Sequence, residues 1–450
     1  MAISATMITC VVFMVKSQSL ATDKKWLGLG AVSTRTWLKT FSEYIEASPT
    51  AYHAALNAAE MLRSAGFTSL DETKPWDDVV GAHFVVRGGA ILGWRMPQRL
   101  TESSGLRILG VHTDSPALQI KPDFDFARSG HRLVDVEVYG GPLLNTWFDR
   151  ELRVAGRIVD KQGKIYLLNT DPILRLSSLA PHLDRGRATE FKLDKQNDLL
   201  PLFSIADADE PLSEYLLDLA GVLPSEVAGA DLFAVPSEKP AIYGSRDQFF
   251  ASYRLDNLAS TYPALLAMLE ARPTEHVQVF AAFNHEEIGS ATTEGASGSF
   301  LSDILTRLSF AMGLDTGEHL AWLQRATCVS ADVTHGLNAT KADHYDPRCY
   351  PSLGYGPAMK ISAAGKYATD SASGPFWKRA CDAAGVPSQN YVNNNNIPGG
   401  TTIGPLVATR MGISTVDVGL PIHSMHSARE MCATADLISF NKAVKAYLVG

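Results

Sequence analysis

Four short, predominantly apolar runs, at residues 106–111, 277–283, 326–331 and 413–418, constrain the fold of this chain more than any other feature. A strand with one wet face alternates apolar and polar residues, whereas these runs are nearly continuous, as expected of strands covered by helices on both sides. Helical patterns accompany them at 49–65, with Ser48 as N-cap and Gly66 as stop, at 258–271, and at 435–449. The prediction is an α/β fold with a central, mostly parallel sheet flanked by helices.

Between residues 122 and 244 the texture changes. Val134-Asp135-Val136-Glu137-Val138 and the run 153–159 alternate strictly, and Lys161-Gln162-Gly163-Lys164 reads as the turn of a hairpin leading into Ile165-Tyr166-Leu167-Leu168. These strands suit an antiparallel unit with one solvated face. We therefore expect a catalytic domain in two parts, 35–121 and 245–450, interrupted by an inserted β-rich domain at 122–244. Connectors at Lys121-Pro122-Asp123 and Glu238-Lys239-Pro240 suit the two crossings. Residues 1–34 read as a disordered extension, with Met7 or Met14 as alternative starts. The apolar stretch from Ala5 to Val15 lacks a preceding basic region and is too short to span a bilayer.

Composition removes other classes. At 46% hydrophobic and 9% aromatic, the 450-residue chain is too apolar for disorder. With 40 Lys+Arg against 48 Asp+Glu, a net charge of −8 and no long run of like charges, it carries no footprint for nucleic acid or for a membrane surface. Its 5 cysteines, Cys10, Cys328, Cys349, Cys381 and Cys432, are scattered without a C-x-x-C pair, which argues against a disulfide framework and for a reducing, cytoplasmic setting. H-E-x-x-H, G-x-S-x-G, G-x-x-x-x-G-K-[ST] and a strand-to-helix G-x-G-x-x-G are all missing.

The apolar runs share one property: each ends near potential ligands. The first stops at His112-Thr113-Asp114, the second at Asn284-His285-Glu286-Glu287, the third at Asp332 and His335, and the fourth leads to His423 and His426. The carboxyl ends of parallel strands share one edge of a sheet, where ligands bind. Imidazoles and carboxylates without thiolates form the ligand set of a catalytic zinc, manganese or cobalt site. In His112-x-Asp114 the carboxylate can orient the imidazole. Of two adjacent glutamates, one can ligate while the other acts as general base. Alone, a histidine after a strand is ordinarily structural, and Glu286-Glu287 would ordinarily be a solvated loop.

His112-Thr113-Asp114-Ser115-Pro116, Arg254-Leu255-Asp256-Asn257, Asn284-His285-Glu286-Glu287-Ile288-Gly289-Ser290, Ser330-Ala331-Asp332 and Met425-His426-Ser427-Ala428-Arg429-Glu430 together resemble the motif set of the M18 metallopeptidases, the aspartyl aminopeptidase family. Gly399-Gly400-Thr401-Thr402-Ile403-Gly404-Pro405 resembles that family's glycine-rich loop. The resemblance implies two Zn2+ per subunit, with Mn2+ or Co2+ as substitutes. Asp256 would bridge the ions, His112 and Asp332 would hold one, and Glu287 and His426 the other. It assigns Glu286 as general base and Asp114 as the carboxylate behind His112. Without the family, Asp256 would be read as the N-cap of the helix that follows. His285 is read as a supporting or surface residue rather than a ligand.

The same resemblance implies release of an N-terminal residue, preferably Asp or Glu, from peptides with a free N-terminus. Lys360 would receive the acidic side chain and His335 would contact substrate. His182 would reach the active site of a neighbouring subunit, in dimers that build a tetrahedral dodecamer. The inserted domain would serve in dimerisation or as a lid. Two alternatives stay open, an aminopeptidase preferring neutral residues and a related dipeptidase or deacylase; a non-enzymatic scaffold would have lost a ligand or the base, and none is missing from the motifs.

Overall fold

The computed structural model describes residues 33–450 except 77, 187–189, 206–210 and 274, together with the backbone of Phe13–Met14. Most of the extension expected over residues 1–34, Cys10 included, lies outside the described residues; Phe13–Met14 pairs in parallel with Tyr166 and Leu167.

The chain divides into two units. One contains Phe13–Met14 and residues 116–238, the other residues 33–115 and 239–450. The first crossing thus falls before Pro116 rather than at Lys121-Pro122, because strand Ala117–Arg128 runs through the proline. Its pairing with His131–Tyr139 shifts register between Ile120 and Asp125, and an irregularity of that kind is where a strand tolerates a residue without an N–H. The second crossing falls at 238/239 instead of 244/245. Ala241–Tyr243 pairs with Phe249–Ser252 and so joins the sheet of the other unit.

In the first unit, strands Ala117–Arg128, His131–Tyr139, Leu202–Ser204, Ile165–Arg175, Glu151–Asp160 and Val227–Pro236 close on themselves, each hydrogen-bonded to the next and the last to the first. In such a ring each strand turns one face inward and the other to solvent, so alternation, not continuity, marks these segments. The expected hairpin turn lies between Asp160 and Ile165, with Gly163 at φ +82°.

The second unit is built on a mixed sheet whose centre is parallel. Ser414–His423, Thr327–His335, Leu106–His112 and Val277–Phe283 lie side by side in that order. Successive residues serve opposite faces. Leu109, Val111, Phe280, Ala282, Val329 and Ala331 pack in one core with helices Thr34–Ala47, Ala51–Ser64, Leu255–Glu270 and Thr434–Val449. Leu106, Ile108, Val277, Val279 and Cys328 pack in another with helices Phe300–Ala311, Thr316–Gln324 and Ile403–Met411. Each large side chain sealed there contributes about 1.5–3 kcal/mol, which is why the runs are apolar without interruption. Register then positions the site. Phe283 pairs with His112, and Asp332 and His112 each lie two residues beyond the Ser330–Gly110 pair, so all reach the carboxyl edge together.

Candidate metal centre

His112 is the last residue of its strand and is buried. Its carbonyl accepts the Thr261 hydroxyl at 2.7 Å, while Thr113 donates its N–H to Phe283 O at 2.8 Å. Nδ1 faces Asp114 Oδ1 at 3.4 Å, leaving Nε2 3.2 Å from Asp256 Oδ1 and 3.5 Å from Asp332 Oδ1. The carboxylate of Asp114 also accepts the N–H groups of Glu286 and Glu287, each at 3.1 Å. Nδ1 also lies 3.2 Å from Asp114 O, so Asp114 faces the ring with both its carbonyl and its carboxylate, while the carboxylate holds the turn that carries both glutamates.

Asp256 stands at the start of helix Leu255–Glu270, but its backbone and that of Asn257 are not helical, and the bond between them is cis. Asp256 Oδ2 lies 3.2 Å from His426 Nε2, so the two oxygens of one carboxylate face two histidines from different segments. His426 Nε2 is also 3.4 Å from Glu287 Oε2. Asn257 Nδ2 donates to Ala331 O at 2.9 Å, tying this segment to the strand of Asp332. Arg254, His285, Ser424 and His426 all have φ between 56° and 67°. Left-handed backbone at non-glycine residues costs of order 1 kcal/mol each and gathers at functional sites.

Among the described residues, donor atoms fall within 4.8 Å of one another in three groups: His112 with Asp256 and Asp332; Asp256 with Glu287 and His426; and His112 with Glu286 and Glu287. Asp256 belongs to two of them. Burial, reinforced by Asp332, Asp256 and Asp114 against the pull of His112, pushes Glu286 up to about 8. Burial and the charge of Asp256 carry Glu287 well above the carboxylate range. Burial presses His112 down, yet the carboxylates of Asp114, Asp256 and Asp332 facing its ring carry it well above the usual imidazole value. Burial likewise acts against Asp256, but His112 and His426 hold its carboxyl well below the usual range. So much buried negative charge calls for cations. Asp256 Oδ1 and Glu287 Oε1 are buried without a hydrogen-bond partner, and the donors are all oxygen or imidazole nitrogen. These residues fit zinc.

Among the remaining expected positions, Lys360 is buried, with Nζ 3.1 Å from Asp332 Oδ2 and 5.5 Å from the centre of the Tyr367 ring. His335 ends the strand that carries Asp332 and packs edge-on against Tyr391 at 5.9 Å. His285 pairs Nδ1 with Thr292 Oγ1 at 2.8 Å and joins none of the donor groups. His182 is exposed and belongs to the other unit.

Sequence reasoning passed over several supporting residues. Ser115 Oγ donates to Asp256 O, and Glu430 accepts two N–H groups from ligand-bearing segments. Gly419, opposite Asp332, leaves room for Lys360, since a Cβ there would lie 2.7 Å from Lys360 Cε. A glycine inside an apolar strand was the available signal for the last of these.

Residues 44–448 match the family model described as Aminopeptidase I zinc metalloprotease (M18). A relative from Streptomyces avermitilis, a probable M18 family aminopeptidase 2, is 41% identical over 90% of this chain and 96% of its own. Among solved structures, a chain of the cryo-EM structure of the Ape4 and Nbr1 complex superposes with a TM-score of 0.87 at 31% identity, covering 92% of this chain and 86% of that one. The mApe1 dodecamer of S. cerevisiae superposes at 0.79 with 25% identity, over 91% and 95%.

Proposed function

The chain belongs to the M18 family of zinc metallo-aminopeptidases, and on that premise we propose that it releases N-terminal Asp or Glu from peptides through a two-zinc site with Glu286 as general base. The observation that carries the binuclear reading is the division of Asp256 between His112 and His426, each 3.2 Å from a different carboxylate oxygen. His112 and Asp332 would complete one position, Glu287 and His426 the other. Zinc there supplies Lewis acidity to the scissile carbonyl and to water, and a cation to which a free α-amino group can be referred.

The chain's own residues do the rest. Glu286 takes a proton from the attacking water and returns it to the leaving amine, a role suited by its place beside His112 and Glu287 at the carboxyl edge of the sheet. Asp114 keeps the His112 ring turned and fixes the Glu286-Glu287 turn through two N–H groups. Lys360 supplies the cation for an acidic first residue, and His335 a further substrate contact. The pairing of Lys360 with Asp332 favours one second reading, an enzyme that prefers neutral residues.

By analogy with the mApe1 dodecamer, the chain forms dimers that assemble further, and His182 contributes to a neighbouring subunit's site. Cys328, Cys349, Cys381 and Cys432 are all unpaired, in keeping with a reducing, cytoplasmic setting. No helix among the described residues is long and apolar enough to cross a membrane. Release of Asp, Glu, Leu and Lys from matched amide substrates, with and without chelator, tests the proposal. Faster turnover of Leu than of Asp would remove the acidic preference, and activity indifferent to chelation would remove the metal.

A further inference from the structure

Glu430 is 1% exposed and opens strand Glu430–Ala433. That strand lies between Phe249–Ser252 and the end of Ser414–His423, pairing Glu430 with Ser252 and Met431 with His423. Both neighbours run on from there into ligand-bearing segments, one to Asp256 and the other to His426. Oε2 of Glu430 accepts the Asp256 N–H at 3.0 Å, and Oε1 accepts the His426 N–H at 2.7 Å. Both acceptances are shielded from water, where a backbone N–H left without a partner is costly. They fall where the backbone most needs holding: His426 is at φ +66°, and Asp256 has left helical geometry two residues after Arg254 at φ +67°.

Asp114 does the same work on the other side, gripping the Glu286 and Glu287 N–H groups beside His112. Each carboxylate ties together segments distant in sequence just beyond the point where their strands last pair. We propose that Glu430 is a positioning residue for the metal centre, the counterpart of Asp114. It sets the spacing between Asp256 and His426, and hence the affinity of the ion they share with Glu287. The proposal rests on the two-ion reading.

The test is zinc binding rather than turnover. Metal-free protein is titrated against chelator-buffered zinc, bound zinc is measured by elemental analysis, and the melting temperature of the metal-free form is recorded. Wild type is compared with Glu430→Gln, Glu430→Asp and Asp436→Asn. Asp436 is a fitting control, a buried carboxylate that accepts the Gly354 and Gly356 N–H groups and touches no ligand. Gln offers one acceptor oxygen where two are needed, so Glu430→Gln should weaken one of the two ions by about 10- to 100-fold and spare the other more. Glu430→Asp keeps both oxygens and should recover part of that loss. Asp436→Asn should lower the melting temperature without separating the two ions. Wild-type zinc affinity in Glu430→Gln, or a loss no greater than that of Asp436→Asn, overturns the proposal. If Glu430→Gln does not fold, Glu430→Asp decides, because affinity at the wild-type level there overturns it equally. A wild type that holds a single ion sinks the two-ion reading instead, and the Glu430 comparison is then made on that ion.

Discussion

The ammonium of Lys360 lies 3.1 Å from Asp332 Oδ2, so the lysine assigned to an acidic substrate already faces a carboxylate assigned to zinc. The two roles are compatible only if a cation beside Asp332 takes up that negative charge and leaves the lysine's own charge for the substrate. Lys360→Met should then lower kcat/KM for an Asp substrate by about 10- to 100-fold, the roughly 1.5–3 kcal/mol of a hydrogen bond to a charged group. The loss for Leu should be smaller. Steady-state kinetics on the pair decide it: an equal loss for both would assign Lys360 to holding Asp332 rather than to selecting substrate.

Glu286 joins a donor group with His112 and Glu287, yet the reading given to it is proton transfer. Glu286→Gln preserves shape and removes the base. It should lower kcat by about 100- to 10,000-fold while bound zinc stays near wild type. Loss of zinc along with activity would make Glu286 a ligand, and wild-type kcat would remove the assignment altogether.

What could be read in advance follows from the physics of the sheet. His112 ends one strand, Glu286 and Glu287 follow the end of another, and Asp332 lies in the later half of a third; all three strands are sealed on both faces, and sealing makes them conspicuous as apolar runs. Asp256 has no such marker. It sits before a helix, where an aspartate ordinarily caps, and only a non-helical turn directs it toward His112 and His426. Glu430 and Ser115 act on backbone atoms of distant segments, a relationship without periodicity or local motif. Local caps were misread for a related reason. Ser48, expected to start the second helix, is the C-cap of the first, and Thr50 precedes Ala51–Ser64. The proline at 122 looked like a connector because a register shift that accommodates it within a strand is invisible without the partner strand.

The protonation of the site gives a pH signature. In the metal-free protein Glu286 and Glu430 are both pushed up to about 8, by burial first and then by neighbouring carboxylates. Unfolded glutamates titrate near roughly 4.3. Between those values the folded form holds more protons than the unfolded form, so stability falls as pH rises through the window. His112, raised by its carboxylate partners against burial, acts in the same direction. Asp256, held low by His112 and His426, loses its contribution only in acid. Ligands must shed protons to bind a cation. The melting temperature of metal-free protein should therefore drop between about pH 6 and pH 9, with zinc-loaded protein changing much less, and zinc uptake near pH 7 should release protons measurable by calorimetry in buffers of different ionisation enthalpy. A metal-free melting temperature that climbs over this range would contradict the assigned protonation states.

Gly419 allows the Lys360–Asp332 arrangement to be disturbed without touching either residue. It pairs with Asp332 in the parallel ladder and with Ala358 on its other side, and it is flanked by the buried Val418 and Leu420. An added Cβ would lie 2.7 Å from Lys360 Cε, 2.8 Å from Asp332 O and 2.9 Å from Thr334 Cβ. The lysine chain can move, but the carbonyl belongs to the ladder and cannot yield cheaply. Gly419→Ala should thus destabilise the protein by about 1–3 kcal/mol, as overpacking commonly does. Because the methyl displaces Lys360 rather than removing its charge, the ratio of Asp to Leu turnover should fall along with stability. Denaturant unfolding and the two-substrate assay measure the two effects separately. A variant with wild-type stability and an unchanged ratio would show that the strand absorbs the methyl and that the position of Lys360 does not depend on this glycine.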